Sequence, residues 1–256
     1  MNVSDLYIDL LKKKLSDYRD YEYDYFVPTE KKQYQEGEEI LCKVKKYSPI
    51  KRATGADQPT QAETMIGLLR LNNLEKLFKI LLEEKIEGDC LEAGVWKGGA
   101  SIFMNALNKV LDNSNRKIWV ADSFEGLPKS TLAPDLKYNW DSPYLKVSLE
   151  EVKKNFRRYN LLDENVHFVK GWFCDTLPSI AVEKIALLRL DGDMYESTLD
   201  ILNNLYHKVV PGGFIVVDDY SGIDSCSLAV DEFRAKYNIS DEIIKIDWTG
   251  VYWRKS

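Results

Sequence analysis

The sequence predicts an α/β protein: a mostly parallel sheet covered by helices on both faces, closed by a C-terminal antiparallel hairpin and preceded by an N-terminal helix and lid. Three observations predict it. Short apolar strands alternate with helical patterns from "GDCLEAG" to "FIVVDD", the pattern of a parallel sheet buried on both faces. The end of the chain reads "EIIKIDW", a Thr249-Gly250 turn and "VYWRK", two short runs about a tight turn, as in a hairpin. Strand after strand also ends in an acid, at Glu92, Asp122, Asp191, Asp218 and Asp219. Open sheets of this kind bind ligands at the carboxyl ends of their strands.

The elements follow in order. Residues 4–18, "SDLYIDLLKKKLSDY", form an amphipathic pattern with Ser4 placed as a cap. From about 19 to 60 the periodicity fades, and no sharp motif lies between Asp20 and Ile50; long irregular segments of this kind are commonly lids or disordered. The division expected is therefore an N-terminal helix and lid over 1–60 and a core over 61–256. Tyr21, Tyr23 and Tyr25 alternate, so an extended backbone puts the three rings on one face, against a ligand or a neighbouring subunit. From Gln61 the spacing of Met65, Leu68, Leu69, Leu71, Leu74, Leu77, Phe78 and Leu81 predicts a long helix. Beyond "GDCLEAG" the expected helices lie near 99–111, 149–159, 176–180, 197–207 and 225–237. The strands between them are "KIWVAD", "VHFVKG", "KIALLRLD" and "FIVVDD".

Composition narrows the function. The 256 residues are long enough for one full-sized domain, and a formal charge of −6 gives no basic footprint for nucleic acid. Four cysteines without a C-x-x-C spacing read as free thiols, not as a zinc site or a disulfide frame. No apolar run approaches the ~20 residues that span a bilayer, and "MNVSDLYIDL" lacks the pattern of a signal peptide. A cytoplasmic protein with neither nucleic-acid nor membrane partners is expected. His167 and His207 read as structural.

The strand-end motifs carry the chemistry. In "LEAGVWKGGAS" the spacing is Gly94-x-x-x-Gly98-Gly99, so the G-x-G-x-x-G dinucleotide fingerprint is absent. Glu92 ahead of the glycines is a poor neighbour for a pyrophosphate and suits a cationic ligand such as S-adenosylmethionine. Asp122 ends the next strand and can accept both ribose hydroxyls. Asp175 can accept from an adenine amino group, or cap a helix beginning near Thr176. Residues two apart on a strand share a face, so Asp191 and Asp193 can enter one site together. Converging carboxylates repel one another unless a cation intervenes. A hard divalent ion, magnesium first, on Asp191, Asp218 and Asp219 resolves the conflict.

Seven segments, "ETMIGLLRLNNL", "LEAGVWKGGASIFM", "ADSFEGLP", "GWFCDTLP", "LRLDGDMYEST", "PGGFIVVDDY" and "AVDEFR", together resemble the macrocin O-methyltransferase family, which methylates sugar hydroxyls in antibiotic biosynthesis. The resemblance runs from about Leu6 to Trp253. It implies a Rossmann-like sheet of the S-adenosylmethionine-dependent type, with magnesium beside the cofactor and a glycosylated small molecule as acceptor. Asp191, Asp218 and Asp219 would hold the metal, and Asp193, with Asp191 beside it, would carry the catalysis as general base. Glu92, Ala93 and Gly94 would surround the methionine part of the cofactor. Asp122 would hold its ribose, and Ser123, Phe124, Cys174 and Asp175 would flank the adenosine. Thr64 and Met65 would close over it from the N-terminal side. A homo-oligomer with shared lids accords with the family.

The chief rival is a metal-dependent glycosyltransferase, whose D-x-D motif "DGD" could match. The glycine loop, Asp122 and the Asp218-Asp219 pair argue against it. A non-catalytic cofactor-binding protein and a nicotinamide oxidoreductase are weaker readings. For the latter, the Tyr47-x-x-x-Lys51 match lies outside the core.

Overall fold

In the computed structural model, residues 2–29, 40–112, 116–138 and 140–256 are described. The chain opens with α1 (Val3–Leu15), the strands β1 (Tyr23–Pro28) and β2 (Cys42–Tyr47), and the helices α2 (Pro49–Thr54) and α3 (Leu68–Glu83). The core continues with β3 (Asp89–Ala93), α4 (Gly99–Leu107), β4 (Ile118–Asp122), α5 (Leu149–Arg158), β5 (Val166–Lys170) and α6 (Phe173–Thr176). It ends with β6 (Ile185–Leu190), α7 (Tyr195–Leu205), β7 (Val209–Val217), α8 (Asp224–Lys236), β8 (Ile244–Lys245) and β9 (Val251–Arg254).

Seven strands form one sheet in the order β5-β4-β3-β6-β7-β9-β8, and β1 and β2 form a separate antiparallel ribbon. Strands β3 to β7 are parallel, whereas β9 runs antiparallel to β7 and β8 antiparallel to β9. The chain winds outward from β3 through β4 to β5, then returns to add β6 and β7 on the other side. The order therefore reverses between β3 and β6, which is where a crevice opens in such sheets.

Period-two alternation sorts the core onto two faces. Cys90, Val120, Leu187 and Val216 meet α1, α3, α4 and α5, in a cluster with Leu11, Phe78, Phe103 and Phe156. Leu91, Ala121, Leu188 and Ile215 meet the other layer, with Ile201 of α7 and Val230 of α8. His167 stacks on Trp119 at 4.8 Å, a packing role.

Two elements depart from the sequence expectation. The long helix begins at Leu68, not Gln61, with Gly67 extended as its N-cap. Residues 61–67 instead form a strap: Glu63 and Thr64 N–H donate to the Leu15 carbonyl, and Gly99 N–H donates to that of Glu63. Ala62 and Ile66 are buried by this docking and not by helical turns, while Met65 stays partly exposed. Before residue 60, Tyr23 and Tyr25 lie in strand β1, whereas Tyr21 precedes it in a bend. The partner strand β2 escaped notice because "KVKKY" is exposed up to Tyr47 and carries no apolar alternation. Part of that segment, residues 30–39, lies outside the described residues.

Candidate active site

A cavity of about 380 Å³ opens at the switch point, against the carboxyl ends of β3, β4 and β6. Its floor depends on one glycine. Gly94 follows β3 with φ +89°, and a Cβ there would fall 1.8 Å from the Asp191 carbonyl oxygen. Asp191 N–H in turn donates to the Ala93 carbonyl at 2.8 Å. The close passage of the two strand ends requires glycine both for its conformation and for its missing side chain.

Asp122 ties the glycine loop to the next strand end. Its Oδ2 accepts from Val95 N–H at 2.8 Å and its Oδ1 from Phe124 N–H at 2.7 Å. Burial pushes this carboxyl up from its ordinary value, and the Val95 and Phe124 amides oppose the shift. Oδ1 also accepts from the Ser123 hydroxyl at 3.4 Å, and Asp122 lines the cavity. Of the residues expected to hold the cofactor, Met65, Gly94, Asp122, Ser123 and Cys174 line this cavity. Ala93 and Phe124 are buried and Thr64 nearly so, with its hydroxyl taking the Ile66 amide at 3.3 Å. Asp175 is exposed and lies inside α6, which starts at Phe173, so it does not cap a helix at Thr176.

The acids beneath the cavity are arranged by strand parity. Register places Glu92 directly across from Arg189, and Asp191 shares a face with Arg189 two residues earlier. Arg189 is 2% exposed and donates to Glu92 Oε1 at 2.7 Å, Asp191 Oδ2 at 2.9 Å and Asp218 Oδ1 at 2.5 Å. Asp218 also accepts from Arg70 of α3, which binds Asp247 at 2.7 Å and Thr249. Two buried guanidiniums thus stand against the carboxylates of Glu92, Asp191, Asp193, Asp218, Asp219 and Asp247, and the cluster is left short of positive charge.

One donor from each of Asp191, Asp193 and Asp219 lies within 4.8 Å of the others, a spacing that can hold a cation. The grouping differs from the expected set of Asp191, Asp218 and Asp219, because Asp218 gives each oxygen to an arginine while Asp193 turns inward. Asp193 sits at φ +53°, a left-handed conformation uncommon for a non-glycine residue and typical of functional sites. Burial, then the charges of Asp191 and Asp218, push its carboxyl up to about 8. Asp191 rises to about 6 through burial and Asp218, and Asp219 rises well above its ordinary value through burial and Asp193. Asp219 Oδ2 is buried without a hydrogen-bond partner among the described residues. A divalent ion with oxygen ligands fits this donor set, since it would take up the orphaned oxygen and offset the repulsion.

Glu92 lies behind the cavity wall, 2% exposed, with its other oxygen accepting from Ser101. Burial pushes it up to about 7, against the pull of Arg189 and Ser101. The structure therefore gives Glu92 to Arg189 rather than to open space.

Three further residues shape the site. Arg70 and Arg189 were legible only as charges inside apolar helical and strand patterns. Asp135, 1% exposed in the loop after β4, accepts from Tyr195 N–H at 2.7 Å and Glu196 N–H at 3.2 Å. It caps α7, whose own N-cap Met194 supplies no side-chain acceptor. Nothing local in the sequence marks a cap donated from 60 residues away. The same loop is pinned by Trp96 Nε1 on the Tyr144 carbonyl at 2.8 Å, and by the Tyr144 hydroxyl on the Pro59 carbonyl at 2.6 Å.

Comparison with known proteins agrees with this geometry over the whole chain. A family profile described as Macrocin-O-methyltransferase (TylF) matches residues 4–255. The 8-demethyl-8-(2,3-dimethoxy-alpha-L-rhamnosyl)-tetracenomycin-C 4'-O-methyltransferase of Streptomyces olivaceus is 44% identical, over 98% of this chain and 92% of that protein. The mycinamicin III 3''-O-methyltransferase of Micromonospora griseorubida is 43% identical, over 98% and 97%. The solved structure of the O-methyltransferase NovP superposes with a TM-score of 0.86 at 41% identity, covering 99% of each chain. The glycosyltransferase, oxidoreductase and non-catalytic readings fall with these matches. The fold is that of an O-methyltransferase, and the chain belongs to the macrocin O-methyltransferase family.

Proposed function

We propose that the protein transfers the methyl group of S-adenosylmethionine to a sugar hydroxyl of a glycosylated natural product, with magnesium bound at the acid cluster. The observation that carries this reading is the convergence of Asp191, Asp193 and Asp219, the first two lining a cavity that also holds Gly94 and Asp122. The relative from Streptomyces olivaceus is named for a rhamnosyl acceptor, in keeping with a sugar hydroxyl as nucleophile.

The cofactor would lie along the carboxyl ends of β3 and β4. Asp122, at the cavity wall, would accept from the ribose. Gly94 leaves room for the methionine part, Ser123 and Cys174 flank the adenosine, and Met65 closes the cavity from above. The strap and the pinned loop around Trp96 and Tyr144 exclude water from the sulfonium.

Asp191, Asp218 and Asp219 would hold the ion, Asp218 through lone pairs that Arg70 and Arg189 do not use. A divalent ion there lowers the pKa of an acceptor hydroxyl and fixes its position. Asp193 would keep a lone pair for the hydroxyl proton and act as general base. S-adenosylmethionine, when bound, would supply the methyl group as its carbon–sulfur bond breaks, leaving S-adenosylhomocysteine. Asp193 would take the proton of the acceptor hydroxyl that becomes the methyl ether. Holding the two reactants in line supplies much of the remaining acceleration.

Calorimetric titration with S-adenosylmethionine and with a UDP-sugar tests the donor site. Saturable binding of S-adenosylmethionine alone supports the reading; preference for the UDP-sugar removes it.

A further inference from the structure

A second cavity of about 330 Å³ lies in the N-terminal part of the chain, outside the strand-end crevice. Tyr23 and Tyr25 of β1, Tyr47 at the end of β2, Arg52 of α2, Asp57 and residues 59–61 wall it. Tyr23 stacks on Tyr47 with centroids 4.8 Å apart and planes 20° apart, and Tyr25 tilts against Tyr23 at 6.0 Å. The cavity is therefore flanked by a ladder of ring faces.

Its polar groups are incomplete. Arg52 is 1% exposed, and its Nη2 donates to the Met65 carbonyl. Nη1 lies 3.2 Å from Asp57 Oδ1, an ion pair off the hydrogen-bond direction. As a result Arg52 Nε, Arg52 Nη1 and Asp57 Oδ1 are all sealed from solvent without a hydrogen-bond partner among the described residues. Buried polar groups left in this state are rare in native proteins and call for an explanation, such as a bound molecule. Burial lowers Arg52 from its ordinary value and raises Asp57, and in each case the charge of the other opposes the shift.

Donors and an acceptor side by side select the partner. A carboxylate or phosphate would satisfy Arg52 but meet the charge of Asp57. Adjacent hydroxyls accept from the guanidinium and donate to the carboxylate at neighbouring atoms. The carbon face of the same ring can lie on tyrosine, whose body is apolar and whose rim is polar. We propose that this cavity is a second carbohydrate site, which takes a pyranose ring through two neighbouring hydroxyls held by Arg52 and Asp57. Because Arg52 also holds Met65, which lines the crevice, occupancy here bears on the wall of the first cavity.

The test uses the full chain with S-adenosylhomocysteine present and methyl α-L-rhamnopyranoside as probe, followed by saturation-transfer NMR. Tetrahydropyran and acetate serve as comparison probes for the ring alone and for an anion. Arg52 is left intact, since its loss would also free Met65. Saturable glycoside binding is expected, weakened by about tenfold in Asp57→Asn, the loss of about one hydrogen bond to a charged group, and weakened in Tyr25→Ala, which removes a ring face. Asp193→Asn, in the crevice, is expected to bind the probe as the parent does. Unchanged melting temperature in the first two variants separates lost binding from lost fold. Binding lost only in Asp193→Asn, unaltered in Asp57→Asn, absent altogether, or matched by tetrahydropyran or acetate overturns the proposal.

A kinetic arm, which alone rests on the proposed methyl transfer, distinguishes the source of the ring. A raised KM for a glycosylated acceptor in Asp57→Asn, with unchanged S-adenosylmethionine affinity, assigns the ring to the acceptor. An unchanged KM with lost glycoside binding assigns it to a free saccharide.

Discussion

Glu92 and Arg189 face each other in register across β3 and β6, Oε1 to Nη1 at 2.7 Å, and each is 2% exposed. This buried pair lies beneath the proposed chemistry and sets the orientation of what stands above it, because Arg189 also holds Asp191 and Asp218. Arg189→Met would leave Glu92 and Asp191 without their counter-charge and Asp218 with Arg70 alone. A loss of roughly 3–5 kcal/mol is expected, the usual cost of removing one partner of a buried pair. Urea unfolding of the metal-free protein measures it; a loss below about 1 kcal/mol would show that the hub is dispensable.

Glu92 also predicts a pH dependence. Burial raises its carboxyl to about 7 against the pull of Arg189, so the folded chain holds this proton more tightly than the unfolded chain does. The contribution is fully present below the unfolded value of ~4.3 and is lost as pH rises through about 7. Stability of the parent should therefore fall between pH 5 and pH 8, and fall less in Glu92→Gln, by about 1–3 kcal/mol. Parallel curves for the two proteins would remove Glu92 from this role.

The two acid pairs should separate by function. Asp193→Asn is expected to keep divalent-ion affinity while turnover drops by about 10²–10⁴. Asp218→Asn and Asp219→Asn should lose ion binding and activity together. Manganese titration read by electron spin resonance, beside steady-state rates, distinguishes them. Ion binding lost in Asp193→Asn and kept in Asp218→Asn would make Asp193 the third ligand, as the observed grouping allows.

Gly94→Ala should abolish cofactor binding even where the protein folds, because the added carbon meets the Asp191 carbonyl at 1.8 Å. Calorimetry reads this directly. Parent-like affinity would mean that the strand ends can part without consequence.

Asp135→Ala removes the acceptor for the first amides of α7. A loss of about 1 kcal/mol is expected from the missing cap. A larger fractional fall is expected in kcat than in cofactor affinity, since α7 begins two residues after Asp193. Equal falls in both would point to a purely structural cap.

How much of this was legible in the sequence depended on the range of the interaction. The strands and their terminal acids were readable because alternation and apolar runs are local signals, and the glycine loop because its spacing is local too. Arg189 left a trace, a lone charge in "ALLRLD" two residues before Asp191, but its three partners come from three strands. The start of α3 was misplaced by seven residues, Gln61 for Leu68, because strap residues buried against α1 and α4 imitate a helical spacing. The β1–β2 ribbon was half legible. Tyrosine alternation marked one strand, while the lysines of the other are solvent-facing and carry no period. Asp135 meets α7 from 60 residues away, and the Arg52 cavity joins segments within residues 17–61 whose pairing no periodicity announces.

The central claim is methyl transfer assisted by an ion at the acid cluster, and one measurement meets it most directly. Transfer of labelled methyl from S-adenosylmethionine to a glycosylated acceptor is followed with magnesium present, and again after exhaustive chelation. The account predicts turnover that depends on magnesium, vanishes with EDTA and returns on adding the ion back. Undiminished transfer in excess EDTA would contradict it.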